Sequence, residues 1–262
     1  MSSGDDDLLR TLHRRADVLG LLVEGSLEKG GIAEALGVSR STVDRALREL
    51  ETYNCVTRED GEFVATAVGR VLLETYETHL ARVDGIGRAT DVLGDLPSSA
   101  PVSPELMADA RVLRPDPPAP HTAYQELEDI ITQARRFYGL SVADTHFRFV
   151  SLLREQAVEE SVPIQIVATS DMREHLLREF PEEFHEAMTD GELDLYERPD
   201  LPFGLLIGDR DDRSRVAVVV YGARSNLSGV ILNDTPEALT WARLLYRRYR
   251  RGATPVDPPS LE

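Results

Sequence analysis

Lysine is nearly missing from this chain: Lys29 stands alone beside 28 arginines. Cysteine is as scarce, with Cys55 the only one. That excludes an intrachain disulfide and any cysteine cluster for a metal, and it suits a reducing cytoplasm. Cys55 reads as a small apolar residue on a β-prone segment, ahead of the other use of a lone thiol, a redox sensor. Large aromatics are few, at 6% of residues. No apolar run approaches the roughly 18 residues that a bilayer-spanning helix requires. The opening, MSSGDDDLLR, is acidic where a secretory leader is basic, so no signal peptide is expected. The usual catalytic signatures are absent as well. There is no G-x-S-x-G elbow, no Walker loop and no H-E-x-x-H. The sequence therefore predicts no catalytic residue, no metal and no cofactor.

What is abundant is negative charge. Acidic residues number 46 against 29 basic ones, a net charge of -17. An acidic surface with arginine in place of lysine resembles the proteins of haloarchaea that hold molar salt in the cell. Carboxylates there retain water and hydrated cations, and a Debye length of about 3 Å screens their repulsion. The other reading is an acidic protein of ordinary salt. Residues 1–95 carry 11 basic and 18 acidic side chains, which is not the basic footprint of a DNA-binding domain. In molar salt, however, counterion release is weak and binding falls to short-range contacts.

The stretch Gly30 to Leu50 organises the rest. Ile32, Ala33 and Leu36 mark the inner face of one helix. Gly37 ends it, since glycine takes positive φ at little cost. Ser39 stands where an N-cap belongs. The next helix has Val43, Ala46, Leu47 and Leu50 inward, an i, i+3, i+4, i+7 set. Ser41, Arg45 and Arg48 fall on its opposite face. Two β-prone runs then flank Asp60-Gly61, a hairpin signal. Helix, helix, turn, helix and hairpin together resemble the winged helix-turn-helix regulators of archaea and bacteria, over residues 7 to 92. The resemblance implies a DNA-binding set of Ser39 at the cap, Ser41, Arg45 and Arg48 reading the major groove, and Arg40, Thr42 and, on the wing, Arg58 contacting phosphates.

Beyond the wing, Ala67 to Leu93 reads as one long helix with a stripe of Val71, Leu72, Tyr76, Leu80, Val83 and Ile86. That stripe pairs either with a second copy or with the chain's own second domain. Residues 96–120 are proline-punctuated and read as a stiff linker with a short helix from Pro104 and a strand at Ala110 to Leu113. Residues 121–251 alternate helices and strands and then run through four strands to a last helix, which predicts a mixed sheet with helices on its faces. The tail, 252–262, reads as disordered.

The segments RFYGLSV, VPIQIVATSDM, ELDLYERPDLPFGLLIGD and ALTWARLLYRRY make this second domain similar to the middle, effector domain of FilR-type archaeal regulators. It is more distantly similar to TrmB-type regulators and to the phospholipase D sheet. The catalytic His-x-Lys of a phospholipase D is missing, so the resemblance implies a non-catalytic, ligand-sensing version. His146 and Arg148 form a His-x-Arg at a helix start that could hold an anion; a solvated helix start is the other reading. Strand ends of such a sheet are the places for a ligand. They supply Tyr138, Ser141, Thr169, Ser170, Tyr196, Asp209, Tyr221, Arg224 and Asn226, with His146 beside them. Hydroxyls with Asp and Asn suit a sugar; Arg224 and His146 suit a phosphate. For each of these residues a cap or core role is the competing reading.

The expected protein is thus α+β: a winged helix-turn-helix domain with its following helix over 1–95, then the linker, then an effector domain over 121–251. It is a cytoplasmic homodimeric regulator that binds duplex DNA at an inverted repeat and responds to a small metabolite. The alternative is a winged-helix adaptor that docks to protein without reading DNA.

Overall fold

In the computed structural model residues 3–115, 121–142, 147–211, 213–222 and 226–260 are described. The chain divides into two compact units, Met1–Ala81 and Arg82–Glu262.

The first unit opens with α1 (Ser3–Glu24), α2 (Lys29–Leu36) and α3 (Arg40–Thr52). α2 closes as a Schellman motif: Gly37 sits at φ 64°, and the Val38 amide donates to the Ala33 carbonyl at 3.1 Å. Ser39 caps α3, its hydroxyl accepting from the Thr42 amide at 3.2 Å. Val43, Ala46, Leu47 and Leu50 are fully buried with Leu12, Leu19, Leu22 and Ile32. Strands β1 (Val56–Glu59) and β2 (Glu62–Ala65) form an antiparallel hairpin. Asp60 and Gly61 turn it, both at positive φ, as a two-residue type I′ turn requires. Leu27 adds a bridge to Phe63, so the hairpin is tied to the segment between α1 and α2. Cys55 is buried, and desolvation pushes its thiol above the usual range, which disfavours the thiolate.

Helix α4 (Ala67–Arg88) follows, and the division between the units falls within it. It ends earlier than the sequence pattern predicts. Ala89 is buried between α4 and a short α5 (Thr90–Gly94), so the expected single helix to Leu93 is two. The expected stripe divides too. Tyr76 is buried and Leu72 half-buried against the first unit's core, while Val71, Leu80, Val83 and Ile86, with Val68, remain exposed.

The second unit is built on one sheet. Its strands are β3 (Arg111–Leu113), β4 (Arg136–Ser141), β5 (Ile164–Thr169), β6 (Leu193–Arg198), β7 (Gly204–Asp209), β8 (Arg215–Tyr221), β9 (Leu227–Asn233) and β10 (Thr254–Pro255). Their order is β10-β6-β5-β4-β7-β8-β9-β3. Only β4, β5 and β6 are mutually parallel; the remaining pairings are antiparallel. One face carries α6 (His121–Thr132), α7 (Phe147–Val158), α8 (Ser170–Glu179) and α9 (Pro181–Thr189). The other carries α10 (Pro236–Arg251) with Val92 of α5 and Leu106 and Met107 from a single 3-10 turn. In β8 the side chains alternate between these layers, Ala217 and Val219 to the first and Val216, Val218 and Val220 to the second, all buried. A run apolar at every position is what burial on both faces demands.

Two expectations are corrected here. Residues 96–115 are not a linker, because they pack on this sheet. β3 pairs with β9, and the amide of the buried Asn233 donates to the Leu106 and Ala108 carbonyls at 2.9 and 2.6 Å. Extended, proline-rich backbone serves an edge strand as well as a spacer. Residues 116–120, which complete the expected linker, lie outside the described residues. The tail is not wholly irregular either: Thr254 and Pro255 pair with Glu197 and Tyr196, and the Val256 amide donates to the Leu195 carbonyl at 3.0 Å.

Candidate nucleic-acid interface and ligand cavity

On α3 the buried side fixes the helix and leaves the other side to solvent. Arg40, Ser41, Thr42, Arg45 and Arg48 are all exposed. Ser39 holds a small hydroxyl cluster, 2.8 Å from the Ser41 and 2.9 Å from the Thr42 hydroxyl. With its hydroxyl spent on the cap and this cluster, Ser39 shapes the helix start. Arg40 and Arg45 make no side-chain hydrogen bond or ion pair among the described residues. Arg48 donates its Nε to the Asp44 carbonyl at 3.1 Å, which leaves its terminal guanidinium nitrogens facing out. Asp44, the acidic neighbour, is ion-paired with Lys29, whose hydrogen bond holds the carboxyl below its usual range. On the hairpin, the Arg58 Nε donates to the Gly61 carbonyl at 3.2 Å, and its guanidinium lies over Phe63. The result is four exposed guanidinium groups on one helix and its hairpin, inside an otherwise acidic chain.

The residues expected to bind a small molecule do not form one site. Thr169 is the N-cap of α8, its hydroxyl accepting from the Met172 amide at 3.2 Å, and Ser170 opens that helix. Tyr138 packs against Tyr246 at 5.0 Å between ring centroids, and Tyr196 is buried under Arg250. Both tyrosines therefore belong to the α10 layer. The Tyr246 phenol is pushed above its usual range by burial. Asp209 is bound by Arg243 at 2.5 Å and pairs across the sheet with Arg136, the first residue of β4. It therefore sits at the edge opposite Ser141, because β7 runs antiparallel to β4. Arg148 is ion-paired with Glu128 at 2.5 Å, which argues against a free anion site at that helix start. His146 and Arg224 lie outside the described residues.

Three of the expected residues do meet. Ser141 at the end of β4, Tyr221 at the end of β8 and Asn226 before β9 line one cavity of about 290 Å3 under α6 and α7. The rest of its wall was not expected from the sequence. Leu127 and Ile131 come from α6, Phe149 and Leu153 from α7. The floor holds Gly139 and Gly204, and a glycine inside a strand is the available sequence signal for room left to a ligand. A side chain at 139 would meet Phe137 and Ile166, and one at 204 would meet Val219 and Tyr221. Glycine at both positions lets these neighbours pack close over the strands.

These features define a two-unit α+β protein with an arginine-bearing helix in one unit and a half-open cavity in the other. Residues 120–252, just over half the chain, match the family model described as "Methanogenesis regulatory protein FilR1, middle domain", and the chain belongs to that family. Residues 4–88 match a second model, "HVO_A0261 N-terminal domain". No curated protein matches the chain. Solved structures similar to it include TrmBL2, described as an archaeal chromatin protein with a novel mode of DNA binding, at 16% identity and TM-score 0.44 over 92% of each chain. NucT from Helicobacter pylori is similar at 12% identity and TM-score 0.45, over 56% of this chain and 99% of that one. Phosphatidylserine synthase from Haemophilus influenzae Rd KW20 is similar at 14% identity and TM-score 0.40, over 56% and 39%. Among the described residues no helix is long and apolar enough to cross a membrane.

Proposed function

We propose that this protein is a sequence-specific DNA-binding transcription regulator whose second unit senses a small molecule, and that it works in the salt-rich cytoplasm of a haloarchaeon. The observation that carries this reading is the outer face of α3. Its inner side chains are fully buried, so Ser41, Arg45 and Arg48 project from a fixed support. The first unit then acts as a winged helix-turn-helix, with α3 in the major groove and Arg58 on the wing near phosphate. The regulatory description of the matched family supports the same reading. The second unit, phospholipase D-like in outline, has no catalytic role in it.

A regulator of this kind works as a homodimer. The exposed Val68, Val71, Val83 and Ile86 on α4 offer an apolar surface for a second copy. A twofold dimer reads an inverted repeat with half-sites about one helical turn, 34–36 Å, apart or a multiple of it.

The test is fluorescence anisotropy on the chain's own upstream DNA in molar KCl. Arg45→Ala is expected to cost about 1–3 kcal/mol and to relax specificity at one base pair, since arginine binds guanine through two hydrogen bonds. Unchanged sequence preference in that variant would remove α3 as the reader. A second reading, an adaptor whose winged helix docks to protein, is favoured by the excess of acidic over basic residues in 1–95. Sequence-independent or absent DNA binding by the wild type would select it.

A further inference from the structure

The cavity of the second unit carries an inference about what is sensed, and it rests on the sensing role assigned above. We infer that this site takes a largely apolar molecule bearing one hydrogen-bonding head group, and not a sugar. At about 290 Å3 the cavity lies at the lower end of the about 300–1,000 Å3 typical of small-molecule sites, so it fits one or two rings or a short acyl chain. Its walls are mostly leucine, isoleucine, valine and phenylalanine side chains from the sheet and from α6, α7, α8 and α9, with Tyr124 of α6 among them. Among the described residues that line it there is no lysine, arginine, histidine, aspartate or glutamate.

Apart from the Tyr124 phenol on α6, the polar side chains that line the cavity gather together. Leu140 pairs with Leu205, Gly204 with Val219 and Tyr221 with Leu227, so Ser141, Tyr221 and Asn226 all fall at one edge of the sheet. A ligand entering there meets hydroxyl and amide groups at that edge and mostly hydrocarbon deeper. Gly139 and Gly204 lie on the α6–α7 side of neighbouring strands β4 and β7. A hexose in this space would turn most of its hydroxyls toward leucine and phenylalanine, and each would lose its water without gaining a partner. An aromatic alcohol matches both halves: its ring takes the apolar depth and its hydroxyl the polar edge.

Isothermal titration of the full chain in molar KCl with 1-naphthol, glucose and glucose 6-phosphate separates these classes. Saturable one-to-one binding of 1-naphthol is expected, with no heat from either sugar. Leu206→Trp, which fills the cavity from a half-buried position, should weaken 1-naphthol binding about tenfold or more. Ser141→Ala, which takes up no space, should weaken it by a smaller factor, so a folding defect in the tryptophan variant does not decide the matter. Binding of a sugar without 1-naphthol would overturn the ligand class and leave the sensing role standing. Binding of 1-naphthol that neither variant changes would overturn the site. No binding of any of the three would overturn both the ligand class and the sensing role.

Discussion

Asn233 is one of few buried polar side chains among the described residues, and every polar atom of its amide is used. Its nitrogen bonds two carbonyls, at Leu106 and Ala108, and its oxygen accepts from the Thr235 amide at 2.7 Å. One side chain thus fixes the 3-10 turn and the start of α10 together. Asn233→Ala leaves those groups buried without partners, at about 2–3 kcal/mol, which chemical denaturation will read as a lower midpoint. Asp91 shows the electrostatic counterpart. Hydrogen bonds from Arg114 hold its carboxyl at about 2, against an ordinary 3.8. A carboxyl lowered on folding stabilises the native state fully above its ordinary value and loses that effect as pH falls toward 2. In Arg114→Gln the Asp91 titration followed by carbon-13 NMR should return toward 3.8. Any stability difference from the wild type should vanish below the native value. The pair is largely exposed, so the effect is small and shrinks with salt.

At the scale of elements, glycine does work that propensity alone would not suggest. Gly69 lies within α4, where alanine would normally be favoured by about 1 kcal/mol. Here an added Cβ would collide with the Cys55 carbonyl, which packs directly on the helix. Gly69→Ala is therefore expected to destabilise the first unit despite the better helix former, with a lower thermal midpoint as the readout. The elements themselves were largely legible in the sequence. α8 and α9 begin and end where Thr169, Ser170 and Pro181 mark them, because caps and prolines are local signals. α3 was legible down to its cap for the same reason. What was not legible is non-local. β7 reads as an apolar run whichever way it points, so its direction, and with it the position of Asp209, appears only in the pairing with β4. The cavity escaped because its walls are mostly apolar side chains from several separate elements, which carry no chemical signature. In residues 96–115 the helical turn at Pro104 and the strand ending at Leu113 were legible, but their packing on the sheet was not, because prolines speak of extended backbone and not of what it lies beside.

For the whole molecule the governing quantity is a charge of -17. At low ionic strength, where the Debye length is about 30 Å, the carboxylates repel one another across each unit. In molar salt that repulsion is confined to near neighbours. The thermal midpoint should therefore rise steadily with KCl, and differential scanning calorimetry across a KCl series will show it. A midpoint that is flat or falls with salt would contradict the molar-salt reading of the composition. On the proposed DNA-reading role, the same screening would leave little affinity to released counterions, so the exposed guanidinium groups of α3 would act through direct hydrogen bonds.

The eight-stranded sheet is closed at its two margins by very short pieces, three residues of β3 on one side and two of β10 on the other. Each is a lid on a row of amides and carbonyls that would otherwise recruit a neighbouring molecule. Pro255, which has no amide to donate, makes the second lid a terminator. A truncation after Arg251 strips it off and leaves the long outer rim of β6 bare, so such a fragment would tend to precipitate by stacking rim to rim.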